Sequence, residues 1–425
     1  MTEKLLQFIW QYQYFTILHL QTANEENLQI IHPGKINYNQ GPDFLDARIK
    51  INDILLAGNI ELHIHASDWE KHQHSTDTNF SNIILHVVWI NDTHHKTTQT
   101  SIPILVIEDK VTKILLYKYE QLMNNITVIK CKKSLPIIHE LVWMNWKERL
   151  AIERLQQKSE KILHYLTESN QHWEEVFWWM IARNFGTKVN GDFFEQIAKS
   201  ISINTLAKHK NQIQQLEALL LGQANLLNEP FTETYPQQLA KEYTFLAKKY
   251  TLSKLHQQPY FLRMRPANFP TIRLAQLAML IHQSSHIFST IKEADTLKNI
   301  QQIFQVTANT YWSTHFIINE TSAYQQKKIG EDMINNIIIN TVVPIVFTYG
   351  IYTNNDYYKT KSLQWLSELK AENNAIINEW KSNSITCNSA LESQALLQLY
   401  QHYCSNKKCL NCTVGNKLLQ PTNEM

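Results

Sequence analysis

GPDFLDARIKINDILLAGNIELHIHASDWEKHQH, residues 41–74, contains two runs in which apolar and polar side chains alternate, DARIKI and ILLAGNIELHIHA. Alternation with period two marks a half-buried strand, because successive side chains point to opposite faces. Asn52-Asp53 between the runs suits a tight hairpin turn. If IELHIHA is a strand, Glu61, His63 and His65 project from one face and Leu62 and Ile64 from the other. A carboxylate and two imidazoles on one face are costly to bury without a metal or hydrogen-bond partners. The plainer reading is a solvated polar face over an apolar one.

Outward from this stretch, residues 1–135 read as a sheet-bearing region. An amphipathic helix opens it, with Leu5, Leu6, Ile9 and Trp10 among its apolar residues, and NIILHVVWI and SIPILVIED follow as further strands. The nearly continuous apolar character of the first of these suits a strand covered on both sides. From residue 136 to 385 the period turns helical, through ELVWMNWKERLAIERLQQKSEKILHYL, WEEVFWWMIARNFG with Gly186 as an expected C-cap, and PANFPTIRLAQLAMLIHQ behind Pro270. Residues 386–425 form a third region, a cysteine-rich knuckle. The expected class is α+β.

Composition narrows the function classes. The chain has 425 residues, 44% hydrophobic and 18% charged, with a formal net charge of +2. No global field recruits polyanions, so contact with nucleic acid needs a local patch. The N-terminus lacks the basic start and cleavage site of a secretory signal, and the most apolar segment, Ile334 to Tyr349, is broken by Asn335, Asn336, Asn340 and Pro344. The expectation is a cytoplasmic chain without a membrane span.

Seventeen residues separate Asp43 from Glu61, and hairpin geometry brings it beside that carboxylate. Two adjacent carboxylates can hold Mg²⁺ or Mn²⁺ and orient an attacking water. Pro42-Asp43 followed by Glu61-Leu62-His63, in the order helix, strand, strand, connecting segment, strand, resembles the PD-(D/E)XK phosphodiesterase signature. The resemblance implies that Asp43 and Glu61 hold the metal and that His63 occupies the place of a Lys that polarises the nucleophile or the phosphate. His63 departs from the pattern, since an imidazole can be neutral at pH 7. His65 is expected as an accessory metal ligand, and Glu25 or Glu26 as the acid supplied near the first helix. His72, His74 and Asp77 read first as exposed residues, His86 as a satisfied core histidine, and Asp68-Trp69 as a helix cap with a packing anchor. Gly58, His63, His65 and Glu70 also loosely resemble the first motif of cupin metalloenzymes, but that Glu is one residue late and no second motif follows.

Cys404, Cys409 and Cys412 form a C-x4-C-x2-C clip, with Cys387, separated from Cys404 by sixteen residues, as the natural fourth ligand and His402 or Cys131 as alternatives. Four thiolates suit zinc or a [4Fe–4S] cluster. Arg149, Arg154, Arg183, Arg263, Arg265 and Arg273 could bind phosphate, although surface pairing with Glu and helix-end capping are the ordinary reading.

GPDFLDARI, GNIELHIHASDWEKHQH, ARNFGTKVN, RPANFPTIRLAQLA, NTVVPIVFTYG and YCSNKKCLNC together resemble a bacterial family known as domain of unknown function 2851, over about residues 5–420. That resemblance implies a cytoplasmic protein of the Bacteroidetes group. The expected function is metal-dependent hydrolysis of nucleic acid, DNA ahead of RNA. A non-catalytic nucleic-acid-binding or scaffold protein, or a cupin-like enzyme acting on a small molecule, is the alternative.

Overall fold

In a computed structural model the protein is α+β, and residues 1–72, 77–93, 102–228, 230–284 and 286–420 are described. The chain divides into two compact units. One comprises Met1–Trp146, Glu379–Ile385 and Leu397–Met425, and the other Lys147–Asn378 and Thr386–Leu396. The sequence separates three regions, but the cysteine-bearing tail belongs to the sheet unit. Its physical tie is apolar: Leu419 is fully buried in the same core as the strands, and the Tyr14 hydroxyl meets Asn416 Oδ1 at 2.8 Å.

The sheet unit starts with helix α1 (Glu3–Gln11), whose N-cap Thr2 accepts a hydrogen bond from the Leu5 N–H. Strands β1 (Leu28–His32), β2 (Lys35–Ile36), β3 (Phe44–Ile51), β4 (Ile54–His65), β5 (Ile83–Ile90) and β6 (Ile104–Val106) make one mixed sheet. Its path is β1-β3-β4-β5-β6, with β2 also on β3, and among the described residues the pairing is open between β1 and β6. The β1–β3 and β3–β4 ladders are antiparallel, whereas β4–β5 and β5–β6 are parallel. Asn52, with φ of +49°, and Asp53 turn β3 into β4 as a two-residue hairpin.

One irregularity positions the site. From Ile51↔Ile54 to Ala47↔Gly58 the hairpin runs in a constant register, but at its far end Phe44 lies opposite Ile60. The intervening bulge, with Asp46 at φ of +58°, slips the register by one residue. Continued one residue past Phe44, the slipped register sets Asp43 level with Glu61 instead of Leu62. The face opposite Glu61 carries Phe44, Ala47, Ile49, Ile60, Leu62, Leu85 and Val87, all buried against Leu5, Leu6, Ile9 and Trp10 of α1. Each fully buried Leu or Ile contributes about 1.5–3 kcal/mol.

After β4, the short helix α2 (Asp68–Lys71) sets Trp69 into the sheet, as its reading as an anchor expects, although Ser67 rather than Asp68 is the N-cap. Past β6, helix α3 (Lys113–Asn124) precedes the turn that carries Cys131.

The second unit is helical, with a separate core. Helix α4 (Glu140–Glu168) leads in, and α5 (Trp173–Phe185) buries Phe177, Trp178 and Phe185. Gly186 does cap α5, but its φ is −66°; the left-handed residue at this corner is Thr187, at φ of +56°. The glycine is needed for space, since a Cβ there would stand 2.5 Å from the Asn190 carbonyl oxygen. The apolar segment at Ile334 lies in a helix, Glu331–Tyr352, that is long and apolar enough to cross a membrane, and 72% of its most apolar window is buried inside the protein. Its residues Ile338–Val342 take π-helical form just before Pro344, which has no N–H to give to a regular ladder.

Candidate active site

The face of β4 opposite the core is itself covered. Glu61 is 6% exposed and His63 is 2% exposed. The Asp43 backbone N–H donates to Glu61 Oε2 at 3.0 Å, and the Leu62 N–H donates to Asp43 Oδ2 at 3.1 Å. Each carboxylate is thus held by the strand that bears the other. Gln7 of α1 donates its side-chain amide to Asp43 Oδ1 at 2.7 Å. Burial, opposed by the Leu62 and Gln7 hydrogen bonds, raises Asp43. Burial and then the charge of Asp43 raise Glu61. The pair takes up its protons well above the ordinary carboxylate range, at about 6 and about 8.

His63 continues the site. Its Nδ1 lies 2.9 Å from Nε2 of His86, which the parallel register places opposite Glu61. Its Nε2 is 3.2 Å from Nδ1 of His72 and 3.7 Å from Glu61 Oε1. Trp69 packs on the His86 ring at a centroid distance of 5.1 Å. The result is a file of three imidazoles from buried His86 through buried His63 to exposed His72. One nitrogen of each facing pair donates and the other accepts, so a proton can pass along the file.

The structure brings Asp43, Glu61 and His63 together. His65 shares the face but lies one pleat farther on, 3.9 Å from Asp92 Oδ2 and partly exposed. Glu25 and Glu26 follow α1 in a turn, where Glu26 holds Thr22. The acid that α1 does supply is Glu3, whose charge raises both Asp43 and Glu61. Sequence reading missed Glu3 and Gln7, although Gln7 is the polar exception in a run of buried residues and lies one turn from Glu3. His86 is buried, but its neighbour is the site histidine. His74 falls outside the described residues. Among the described residues, His63 and His65 lie on an open mixed sheet.

In the same unit, Cys131, Cys404, Cys409 and Cys412 line a single cavity with Lys130, Lys408 and Gly415. Cys387 is buried in the helical unit, and the place expected for it beside the clip is taken by Cys131. His402 is exposed and is not among the lining residues. Burial, then the neighbouring Cys412 and Cys409, push the Cys131 thiol up to about 12. Burial also raises Cys404, Cys409 and Cys412.

The arginines divide. Arg183 pairs with Asp192 and Glu195, as the ordinary reading expects. Arg154 donates to Gln394 at 2.8 Å. Arg273 is 7% exposed and donates only to the neutral Asn268 and Gln276, so burial lowers its pKa to about 10.

No curated protein and no solved structure matches the chain. A family model described as Protein of unknown function (DUF2851) matches residues 3–375, which spans all of the carboxylate site and most of the helical unit. The chain belongs to this DUF2851 family.

Proposed function

We propose that the protein is a metal-dependent nuclease that hydrolyses phosphodiester bonds of nucleic acid, DNA ahead of RNA, at the Asp43–Glu61 pair. The observation that carries this reading is a pair of carboxylates, buried Glu61 on β4 and half-buried Asp43 just ahead of the antiparallel β3, interlocked through hydrogen bonds at 3.0 and 3.1 Å, with an imidazole two residues past Glu61. The succession α1, β1, β2, β3, β4, α2, β5, with β1 and the short β2 both on β3 and with β4 and β5 parallel, supports a likeness to the PD-(D/E)XK core.

The donor set fits a hard divalent cation, because Asp43 and Glu61 offer oxygens whose negative charge the fold raises in energy. Bound there, Mg²⁺ or Mn²⁺ supplies Lewis-acid polarisation of the phosphate and acidifies water. Gln7 fixes the Asp43 carboxylate by holding one of its oxygens. His63 accepts a proton beside Glu61 and passes it through His72 to solvent, which is the work an imidazole can do in place of a permanently charged Lys. His65 remains an accessory group beside Asp92.

A polar groove of about 640 Å³, lined by His32, Lys35, Arg48, Asn59 and Asn82 among others, runs along the same β-strands. Asn59 is on the Glu61 face of β4, and Lys35 and Arg48 are exposed cations able to meet phosphates. The test is cleavage of labelled single- and double-stranded DNA and RNA with Mg²⁺ or Mn²⁺. Cleavage by the wild type that is lost in both Asp43→Ala and Glu61→Ala supports the reading. No wild-type cleavage, with unchanged nucleic-acid affinity in the two variants, would move the function to binding or to a small-molecule substrate.

A further inference from the structure

We propose that Cys131, Cys404, Cys409 and Cys412 hold one thiophilic metal ion, zinc in the simplest case, through four thiolates. This goes beyond the carboxylate site and stands or falls without it. The four sulfur side chains come from the turn after α3, the end of a helix and the tail turn, and they border one cavity of about 20 Å³. That volume is about what one water or one ion occupies.

Two features separate these thiols from cysteines buried by chance. First, a Cβ at Gly415 would stand 2.1 Å from the Cys409 carbonyl oxygen, so the tight turn that puts Cys409 and Cys412 on one cavity requires glycine. Second, Lys130 and Lys408 border the cavity. Four thiolates around a divalent ion leave a charge of two minus, which two ammonium groups offset.

Among the described residues no three His, Cys, Asp or Glu already stand grouped as ion ligands. Binding therefore draws the sulfurs inward by rotation about χ1, and four thiol protons leave to solvent as four metal–sulfur bonds form. The site would clip the turn after α3 to the C-terminal segment. Cys387 takes no part in it.

The experiment is elemental analysis of the full chain purified without chelator and incubated with Zn²⁺, beside Cys131→Ser, Cys409→Ser and Cys387→Ser. One zinc per chain is expected in the wild type and in Cys387→Ser, with at least a tenfold loss of affinity in the other two variants. Should Cys131→Ser misfold, Co²⁺ titration of the wild type counts thiolate ligands from its charge-transfer absorption, and four are expected. Retention of metal in Cys131→Ser with loss in Cys387→Ser would overturn the ligand set. Disulfides among the four, an iron–sulfur cluster, or a wild type that takes up no zinc would overturn the single-ion site. None of these readouts depends on Asp43, Glu61 or cleavage.

Discussion

Asp43 and Glu61 lock each other in place through the backbone: the Asp43 N–H donates to Glu61 Oε2, and Asp43 Oδ2 receives the Leu62 N–H from the neighbouring strand. The two carboxylates are therefore fixed by the backbone, and what the fold has to manage is their charge.

That charge makes metal-free stability depend on pH. Both folded-state pKa values are raised, to about 6 and about 8, so the native state binds more protons than the unfolded chain across the interval above the ordinary carboxylate range. The stabilisation is complete below the unfolded pKa values and is lost as pH rises through 6 and 8. Urea denaturation in chelator is expected to show the wild type weaker at about pH 9 than at about pH 5 by at least ~1 kcal/mol. Glu61→Gln should flatten this slope, and Mn²⁺ should restore wild-type stability at the higher pH. A wild type with equal stability at both values would contradict the buried pair.

Gln7 holds Asp43 from α1 at 2.7 Å, so its loss acts on the site from outside the sheet. Gln7→Leu is expected to cost about 1 kcal/mol of stability. It also removes a donor that lowers the Asp43 pKa, so the acidic limb of the cleavage profile should move to higher pH. A profile superimposable on that of the wild type would show that the amide does not tune the carboxylate.

The imidazole file gives separable effects. If the proposed nuclease reading holds, His63→Ala should reduce kcat by about 10²-fold while metal affinity changes less, since it would remove the proposed proton acceptor and leave both carboxylates. His86→Phe leaves His63 Nδ1 without the partner now at 2.9 Å and should cost about 1–3 kcal/mol. Cleavage assays paired with thermal melts check both; full activity in His63→Ala would remove it from the reaction.

In the helical unit, Glu217 is fully buried and accepts from Tyr235, Asn309 and Trp312. Burial, opposed by these donors, raises its pKa to about 7. Glu217→Ala strands three buried donors and should destabilise by about 3 kcal/mol or more, whereas Glu217→Gln should cost less. Chemical denaturation checks the order of the two. Cleavage by whatever fraction remains folded should be unchanged, since the carboxylate pair lies in the other unit.

Lys327 presents a simpler case. Its Nζ is buried without a hydrogen-bond partner and lies 3.5 Å from the centroid of the Phe316 ring, and burial lowers its pKa. Lys327→Met should raise the melting temperature, because an apolar side chain of similar reach removes the cost of burying the ammonium. A lower melting temperature would show that the ring attraction outweighs it.

Sequence by itself determined what depends on period and on neighbours in the chain. Alternation gave the strands and set Glu61, His63 and His65 on one face; the Asn52-Asp53 turn gave the hairpin; helical spacing gave the second unit; and the C-x4-C-x2-C clip fixed three of the thiols that share a cavity. What depends on register and on distant partners was decided only by the tertiary structure. A regular two-residue hairpin would set Asp43 level with Leu62, and the bulge at Asp46 brings it level with Glu61. Gln7 reaches Asp43 because α1 packs across the sheet, and His86 meets His63 through a parallel pairing that no local pattern encodes. For the same reason the thiol that joins the clip is Cys131, distant in sequence, and not Cys387, which is nearer along the chain but folds into the other unit.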